Sequence, residues 1–313
     1  MQNFLLSFNV VFPIAIMMAV GYFIKRIKLV NETTVRQMNN IIFKVFLPLM
    51  LFKNVYETEI SEVFDVKLAL FTTVCIIVAI LATFLLVPIF VKENSRRGVL
   101  IQAIFRSNFV IFGIPITEAL CGKEATGIAS VLIAIVVPLF NFAAVITLEV
   151  FNGGKPDFLK IVKGIVKNPL IVSSLAALLI NFIGIDFPNV IEKSISSIAS
   201  IATPLALIIL GASINFGTVS KNALALSVGI STKLIILPAI VLSVGIFAFG
   251  FRGAELSILM AVFACPTAVS SFTMAQQMGG DGDLACQLVM FSTVISVLTM
   301  FLWIFTLVQF GFI

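Results

Sequence analysis

The segment Ile104-Phe105-Arg106-Ser107-Asn108-Phe109-Val110-Ile111-Phe112-Gly113-Ile114-Pro115-Ile116 sets an arginine, a serine and an asparagine inside an apolar run that leads to a proline. About half a chain later, Val262-Phe263-Ala264-Cys265-Pro266-Thr267-Ala268-Val269-Ser270-Ser271-Phe272-Thr273 is again polar beside a proline. A helix broken inside lipid leaves amides and carbonyls unpaired, which is tolerated only where protein or a water-filled cavity satisfies them. The half-helix after such a break presents partial positive charge at its N-terminal end, suited to a carboxylate. Two such breaks crossing near the bilayer midplane would build one anion site.

Composition places the chain in that bilayer. Apolar residues make up 60% of its 313 positions and charged residues 11%, against about 45–50% apolar in a soluble domain. A spanning helix needs about 20 mostly apolar residues. The chain divides into ten such runs, at 4–24, 41–56, 68–91, 99–121, 127–151, 161–184, 196–216, 223–248, 255–278 and 284–309. The loops between them are short, so function must reside in the bundle itself. The start MQNFLLSFNVVFPIAIMMAV has no basic leader and no small-residue cleavage site, and reads as the first span rather than a signal peptide.

With the N-terminus outside, the inside loops hold twelve of the twenty basic residues: Lys25, Arg26, Lys28, Arg36, Lys92, Arg96, Arg97, Lys155, Lys160, Lys163, Lys167 and Lys221. The outside loops hold Lys53, Lys67, Lys123, Lys193 and Arg252, while Lys44, Arg106 and Lys233 lie within spans. This bias predicts a multi-pass protein of the cell membrane with both termini outside. Basic residues spread over separate loops form no single basic face, which argues against a nucleic-acid partner.

Eight of the eleven prolines pair at near-constant separations: Pro13 with Pro169, Pro48 with Pro204, Pro88 with Pro238 and Pro115 with Pro266, at 156, 156, 150 and 151 residues. Prolines are common in membrane helices, and chance pairing is the competing reading. A helix-interior proline removes a hydrogen bond and clashes with the preceding turn, so matched prolines are expected to copy a shape as well as a sequence. Halves 1–155 and 156–313 then hold five spans each. An odd number makes the second half enter from the opposite side, so the repeats are inverted and two pseudo-equivalent shapes permit alternating access. The predicted fold is an all-α integral membrane protein of ten transmembrane helices in two inverted five-helix repeats, with helices 4 and 9 broken at their prolines and crossing.

Arg106 bears most on substrate charge. A guanidinium within a span costs at least about 2.5–3.5 kcal/mol on insertion scales and calls for a partner or a ligand. Either a substrate carboxylate fills that role, or the side chain snorkels to the inner interface about two turns away; snorkelling is the expectation for Lys44 and Lys233. Ser107 and Asn108 read as substrate contacts beside the break, or as hydrogen bonds across helices. Thr267, Ser270 and Ser271 stand at i, i+3 and i+4, hence on one helical face, either a site wall or a close packing surface. Asn141 in the fifth span is a further candidate of the same kind, Gly113 is expected to permit the break, and Cys265 adjoins Pro266 within the same constellation.

The segments RSNFVIFGIPI and ACPTAVSSFTMAQQMGGDGD, with FLPLMLF in the second span and ATPLALIILGASI in the seventh, resemble the auxin efflux carrier family in its short-loop bacterial form, over essentially the whole chain. The resemblance implies ten helices in two inverted repeats. Helices 1, 2, 6 and 7 would form a scaffold that often makes a dimer contact, and helices 3–5 and 8–10 an elevator-type moving transport domain. Members carry organic anions such as auxin in plants and malate or malonate in bacteria, so a small organic anion and a homodimer are the implied partners besides the lipid. By motif position Asn108 matches the family's asparagine near the substrate, and Pro115 and Pro266 match its crossover prolines. The long cytosolic loop of many plant members is missing, since 152–160 is a short connector; regulation through such a loop, and auxin itself as substrate, are not expected.

No cofactor is called for. The fifteen acidic residues all fall in loops or near span ends, and the chain has no histidine, so a built-in carboxylate or imidazole proton carrier is not expected. Sodium bound by hydroxyls and unwound carbonyls stays open as a coupling ion, as do substrate-borne protons; movement driven by the membrane potential or facilitated is the first reading. Enzyme readings fare poorly. Cys75, Cys121, Cys265 and Cys286 lack CxxC spacing, and Gly279-Gly280-Asp281-Gly282-Asp283 lacks the spacing of a calcium loop and reads as a tight turn. An intramembrane protease or lipid-modifying enzyme, a carrier of neutral or cationic solutes, and a channel remain as alternatives.

Overall fold

The computed structural model describes residues 2–57, 65–151 and 166–313. The expected boundary between halves at 155/156, the connector 152–160 and the basic residues Lys155, Lys160 and Lys163 lie outside the described residues. Those described are helical, with one isolated β-bridge and no strand. In chain order the helices are α1 (Gln2–Arg26), α2 (Glu32–Ile41), α3 (Leu47–Tyr56), α4 (Val66–Phe90), α5 (Asn94–Phe105), α6 (Ile114–Val150), α7 (Pro169–Ile183), α8 (Asn189–Ser213), α9 (Val219–Ser231), α10 (Leu237–Phe247), α11 (Gly253–Ala264), α12 (Ser270–Gln277) and α13 (Gly282–Gln309).

Among the described residues, five helices are long and apolar enough to cross a membrane: Val66–Phe90, Val131–Val150, Asn189–Ser213, Phe216–Phe247 and Gly282–Gln309. Phe109–Gly122 and Gly253–Ala264 are apolar but shorter, each being half of a span divided by a break. Large apolar side chains such as Leu85, Phe182 and Phe247 project outward, as they do in a chain whose solvent is lipid, whereas Asn39, Gln102, Asn141 and Gln287 are buried inside the bundle. The chain is a multi-pass membrane protein.

Three helices absorb a proline by the same device. The backbone widens into a π-turn at Ile42–Phe46, Phe109–Gly113 and Thr232–Ile236, each beginning six residues before a proline. The residue ahead of each proline donates five back: Leu47 to Ile42, Ile114 to Phe109 and Leu237 to Thr232. The wider turn moves the carbonyl that the pyrrolidine ring would strike and leaves the missing amide at the start of a fresh helix.

The proline pairs do not copy local shape, contrary to expectation. Pro13 is interior to α1 whereas Pro169 opens α7 behind the cap Asn168, whose side chain accepts from the Leu170 amide at 3.0 Å. Pro48 follows a π-turn while Pro204 is interior to α8, and Pro88 is interior to α4 while Pro238 follows a π-turn. A proline deletes one donor wherever it stands, but the packing around it decides whether a bend, a π-turn or a helix start absorbs the loss.

Helix α1 crosses α8 through glycine. A Cβ on Gly21 would lie 1.9 Å from the Ile208 carbonyl oxygen, and one on Gly211 would lie 1.9 Å from that of Met18. Without an apolar solvent contrast to drive association in lipid, close backbone approach through small residues supplies the van der Waals contact that holds the pair. Within α6, Gly122 leaves helical geometry at φ 80° and ψ −174°, where the loop between the fourth and fifth spans was expected. The Gly279–Asp283 stretch is the tight turn expected, with Gly279 at φ 79° and Asp281 capping α13 by accepting from the Leu284 amide at 3.0 Å.

Candidate functional site

Helix α5 ends at Phe105, and the chain runs extended through Arg106 (φ −85°, ψ 119°) to Asn108 before turning into the π-turn at Phe109. Helix α11 ends at Ala264, with Cys265 extended at φ −63°, ψ 152°, and α12 starts at Ser270. The two extended segments pair with each other. Ser107 and Thr267 form an antiparallel bridge, the Asn108 amide donates to the Pro266 carbonyl at 2.8 Å, and the Ala268 amide donates to the Arg106 carbonyl at 3.4 Å. Each break thereby supplies part of the backbone pairing that the other lost.

The fourth span is therefore broken at Arg106–Asn108 and not at Pro115, which is exposed and lies beyond the π-turn. Gly113 does not permit the break either. It is helical, and a Cβ there would meet Ala261 Cβ at 2.9 Å, so its smallness lets the segment lie against α11. Thr267 does not share a helical face with Ser270 and Ser271, because it belongs to the extended segment. Its Oγ1 donates to the Ala103 carbonyl at 2.8 Å and its amide donates to Ser292 Oγ at 3.2 Å. Cys265 is fully buried behind the crossing, and Ser271 carries the carbonyl that accepts from Gln102 Nε2 at 3.0 Å.

Beside the crossing lies a cavity of about 250 Å³, room for roughly eight waters at ~30 Å³ each. Arg106, Ser107, Asn108, Asn141 and Ser270 line it, while Gly113, Pro115, Cys265, Pro266, Thr267 and Ser271 do not. The N-terminal ends of both following half-helices abut it, through Phe109 on one side and Ser270 on the other. Its far wall comes from α3 and α8, with Met50, Asn54, Ser200 and Thr203. The residue-level reading missed these four. The signal available was adjacency to matched prolines, since Met50 follows Pro48 by two residues, Thr203 precedes Pro204, and the Thr203 hydroxyl lies 3.4 Å from Met50 Sδ.

Arg106 is 3% exposed and does not snorkel. Its guanidinium donates to Asn141 Oδ1 and reaches Met274 Sδ, two neutral groups. Among the described residues no carboxylate lies within ion-pair distance of it. Around it, Ser107 Oγ, Asn108 Nδ2 and Asn141 Nδ2 are buried with no hydrogen-bond partner among the described residues. Lys44 is exposed on the bundle surface as expected, whereas Lys233 is buried, against the expectation that it snorkels. No group of three His, Cys, Asp or Glu side chains comes together among the described residues.

A second, larger cavity of about 1100 Å³ opens at the opposite end of α12, lined by Arg36, Asn40, Asn215, Gln276 and Asp283. Helix α12 thus stands between two cavities, with Ser270 facing one, Phe272 and Gln276 the other, and Thr273 buried between them. A solute-sized cavity, mostly apolar in lining but with Arg106, Asn108 and Asn141 in its wall, at crossed broken helices in a membrane bundle, with a second cavity at the other end of α12, defines a membrane transporter.

Comparison with known proteins agrees. The sequence matches the membrane transport protein family over residues 6–156 and 157–304, and the chain belongs to that family. It is 25% identical to the uncharacterized transporter MJ1031 of Methanocaldococcus jannaschii, over 96% of this chain and 98% of that one. It is 23% identical to an uncharacterized transporter of Methanothermobacter thermautotrophicus over 96% and 98% of the two chains. To the uncharacterized transporter YfdV of Escherichia coli it is 24% identical, over 94% and 95%. These relatives are transporters and not enzymes.

Proposed function

We propose that this transporter carries a small carboxylate, of the size and charge of malate or malonate, bound at the crossing of its two broken helices. One observation carries the reading: Arg106 is buried without an acidic partner among the described residues, beside three buried donor-bearing groups that also lack partners. Holding a guanidinium on neutral groups alone, beside several donors without partners, is costly in a bundle core. A carboxylate accepting from Arg106, Asn108 and Asn141 gives the guanidinium a charged partner and two of the three unpartnered groups an acceptor, through charge-assisted hydrogen bonds.

The cavities at either end of α12 support alternating access, in which α3 and α8 belong to a fixed scaffold and the crossing moves as part of a transport domain built from the third to fifth and eighth to tenth spans. Ten spans in two inverted repeats, at 1–155 and 156–313, are supported by the paired prolines and by the mutual bonding of the breaks. Placement in the cell membrane with both termini outside is supported by the excess of basic residues on one face, and a homodimer by the family resemblance. Movement driven by the membrane potential or the substrate's own gradient is the first reading, with substrate-borne protons second and Na+ still open, since the chain has no histidine and among the described residues no carboxylate lines the cavity.

Counterflow in proteoliposomes loaded with radiolabelled malate, malonate and related carboxylates tests the reading. Wild type exchanges at least one of them, and Arg106→Ala and Asn108→Ala lose exchange at least tenfold while eluting as folded protein. Exchange of no carboxylate, or undiminished exchange by Arg106→Ala, removes the anion assignment.

A further inference from the structure

A third cavity, of about 260 Å³, lies apart from the crossing, where α4 stops and α5 and α9 start. Three cations line it, Lys92, Arg96 and Lys221, against one carboxylate, Glu93. Lys92 and Lys221 come from opposite halves of the chain and reach the same space.

Two of these cations are unpaired. Arg96 is partly satisfied: its guanidinium donates to Asn222 Oδ1 at 2.7 Å and stands 3.6 Å from Asp281 Oδ2, while its Nε is buried with no hydrogen-bond partner among the described residues. Neighbouring Arg97 turns to the end of α4, donating to the carbonyls of Val91 at 2.6 Å and Pro88 at 3.3 Å. Lys92 and Lys221 are exposed, and among the described residues no carboxylate lies within ion-pair distance of either. Arg96 and Lys221 also stand in the first turns of α5 and α9, where the positive end of the helix dipole disfavours a cation. Glu93 does not offset this at α5, since its side chain makes no cap hydrogen bond. Two helix starts that share one cavity thus break the same local preference, as functional sites do.

The walls are ordered by polarity. Along α9, Lys221, Leu224, Ala225 and Val228 stand at i, i+3, i+4 and i+7 and all line the cavity. The cation is at the helix start and the apolar side chains follow it into the span. On the opposite wall Phe90, the last residue of α4, leads to Lys92 in the matching order. Phe90 and Leu224 are exposed on the outside of the bundle, where the solvent is lipid, so the cavity adjoins the bilayer at its side. Charge at the surface over apolar walls that face lipid is the profile of a phospholipid, a phosphate above acyl chains. Insertion bias accounts for an excess of lysine on this face, but not for its convergence on one cavity. Basic pockets between transmembrane helices on the cytoplasmic side are sites for anionic headgroups.

We propose that this cavity binds the phosphate of an anionic phospholipid, with Lys92, Lys221 and Arg96 around the phosphate and an acyl chain lying along Phe90, Leu224 and Val228. The lipid belongs to the leaflet on the face proposed as inner. It joins the end of α4 to the start of α9, and so ties the two halves of the chain together.

Thermal unfolding of the purified full-length protein in a non-ionic detergent tests this, against added phosphatidylglycerol, phosphatidylcholine of the same acyl chains, and inorganic phosphate. The wild-type midpoint rises with saturation on phosphatidylglycerol, as a ligand bound only to the folded state requires, and does not rise on the other two. Lys92→Gln/Lys221→Gln needs about tenfold more phosphatidylglycerol or beyond. Lys92→Arg/Lys221→Arg titrates as wild type does. So does Arg26→Gln/Lys167→Gln, which removes the same charge at exposed positions outside the cavity. Should the glutamine pair fail to fold, the single variants Lys92→Gln and Lys221→Gln carry the comparison, each with a smaller loss. Equal responses to the two lipids, or equal losses in both glutamine pairs, overturn the proposal. Inorganic phosphate raising the midpoint as the lipid does assigns the cavity to a soluble phosphate and overturns it too. Carboxylate counterflow is read separately, so failure of the carboxylate assignment leaves this measurement intact, and the reverse holds.

Discussion

Ser107 and Thr267, 160 residues apart in sequence, form an antiparallel bridge where two helices give up their own hydrogen bonding. The bridge makes the breaks mutually dependent. Neither extended segment has enough partners alone, so the site forms only when both halves of the chain are assembled.

Thr267 tests that dependence. Its hydroxyl supplies a donor to the Ala103 carbonyl, one of those that α5 cannot satisfy internally. Thr267→Val keeps the volume and leaves that carbonyl unpaired, at an expected cost of about 1–3 kcal/mol. Thr267→Ser retains most of the stability. Thermal unfolding in detergent is the check, and equal midpoints for valine and wild type would contradict it.

Asn141→Asp separates charge from shape. The side chain is nearly isosteric, but it gives Arg106 the carboxylate partner that it lacks among the described residues. An internal ion pair competes with an external anion, so carboxylate affinity is expected to fall at least tenfold, about 1.4 kcal/mol, with the fold unchanged. Binding isotherms by scintillation proximity read the change; unaltered affinity would detach Arg106 from the substrate.

The glycine crossing of α1 on α8 predicts a stability effect remote from the site. Gly21→Ala and Gly211→Ala each place a methyl 1.9 Å from a backbone oxygen, which forces the helices apart and costs about 1–3 kcal/mol. Gly282→Ala is the comparison, because its nearest neighbour lies at 3.8 Å. It leaves the midpoint unchanged, and equal effects at all three positions would rule out the packing account.

Side-specific access follows from the two cavities. In intact cells expressing a variant free of native cysteines, Ser200→Cys, which lines the smaller cavity, is modified by an impermeant charged thiol reagent. Gln37→Cys, which lines the larger one, is modified after permeabilisation. Saturating carboxylate protects Ser200→Cys severalfold. The reverse sidedness would invert the orientation proposed from the basic residues.

Much of this was legible in the sequence, for a chemical reason. Hydropathy reports directly on whether a segment can reside in lipid, so the membrane class follows from residue type alone. Polar residues are expensive there, so Arg106, Asn108 and Asn141 announced themselves by standing where they should not, and all three line the cavity. The prolines announced that helices are disturbed, but each specifies only a missing donor.

Where the loss is absorbed was decided by tertiary packing. The break in the fourth span falls at Arg106–Asn108, nine residues before Pro115, because there the backbone of the second break offers carbonyl and amide partners, while at Pro115 a π-turn suffices. The direction of a long cation is undecided for the same reason. Lys44 and Lys233 look alike in sequence, yet the first projects outward and the second is buried in the bundle, since the helices that surround each are chosen by the whole bundle. The far wall of the cavity, Met50, Asn54, Ser200 and Thr203, carries residue types that are unremarkable on any single helix. Only the approach of α3 and α8 to the crossing makes them part of a site, and that approach is a property of packing that no local stretch of residues encodes.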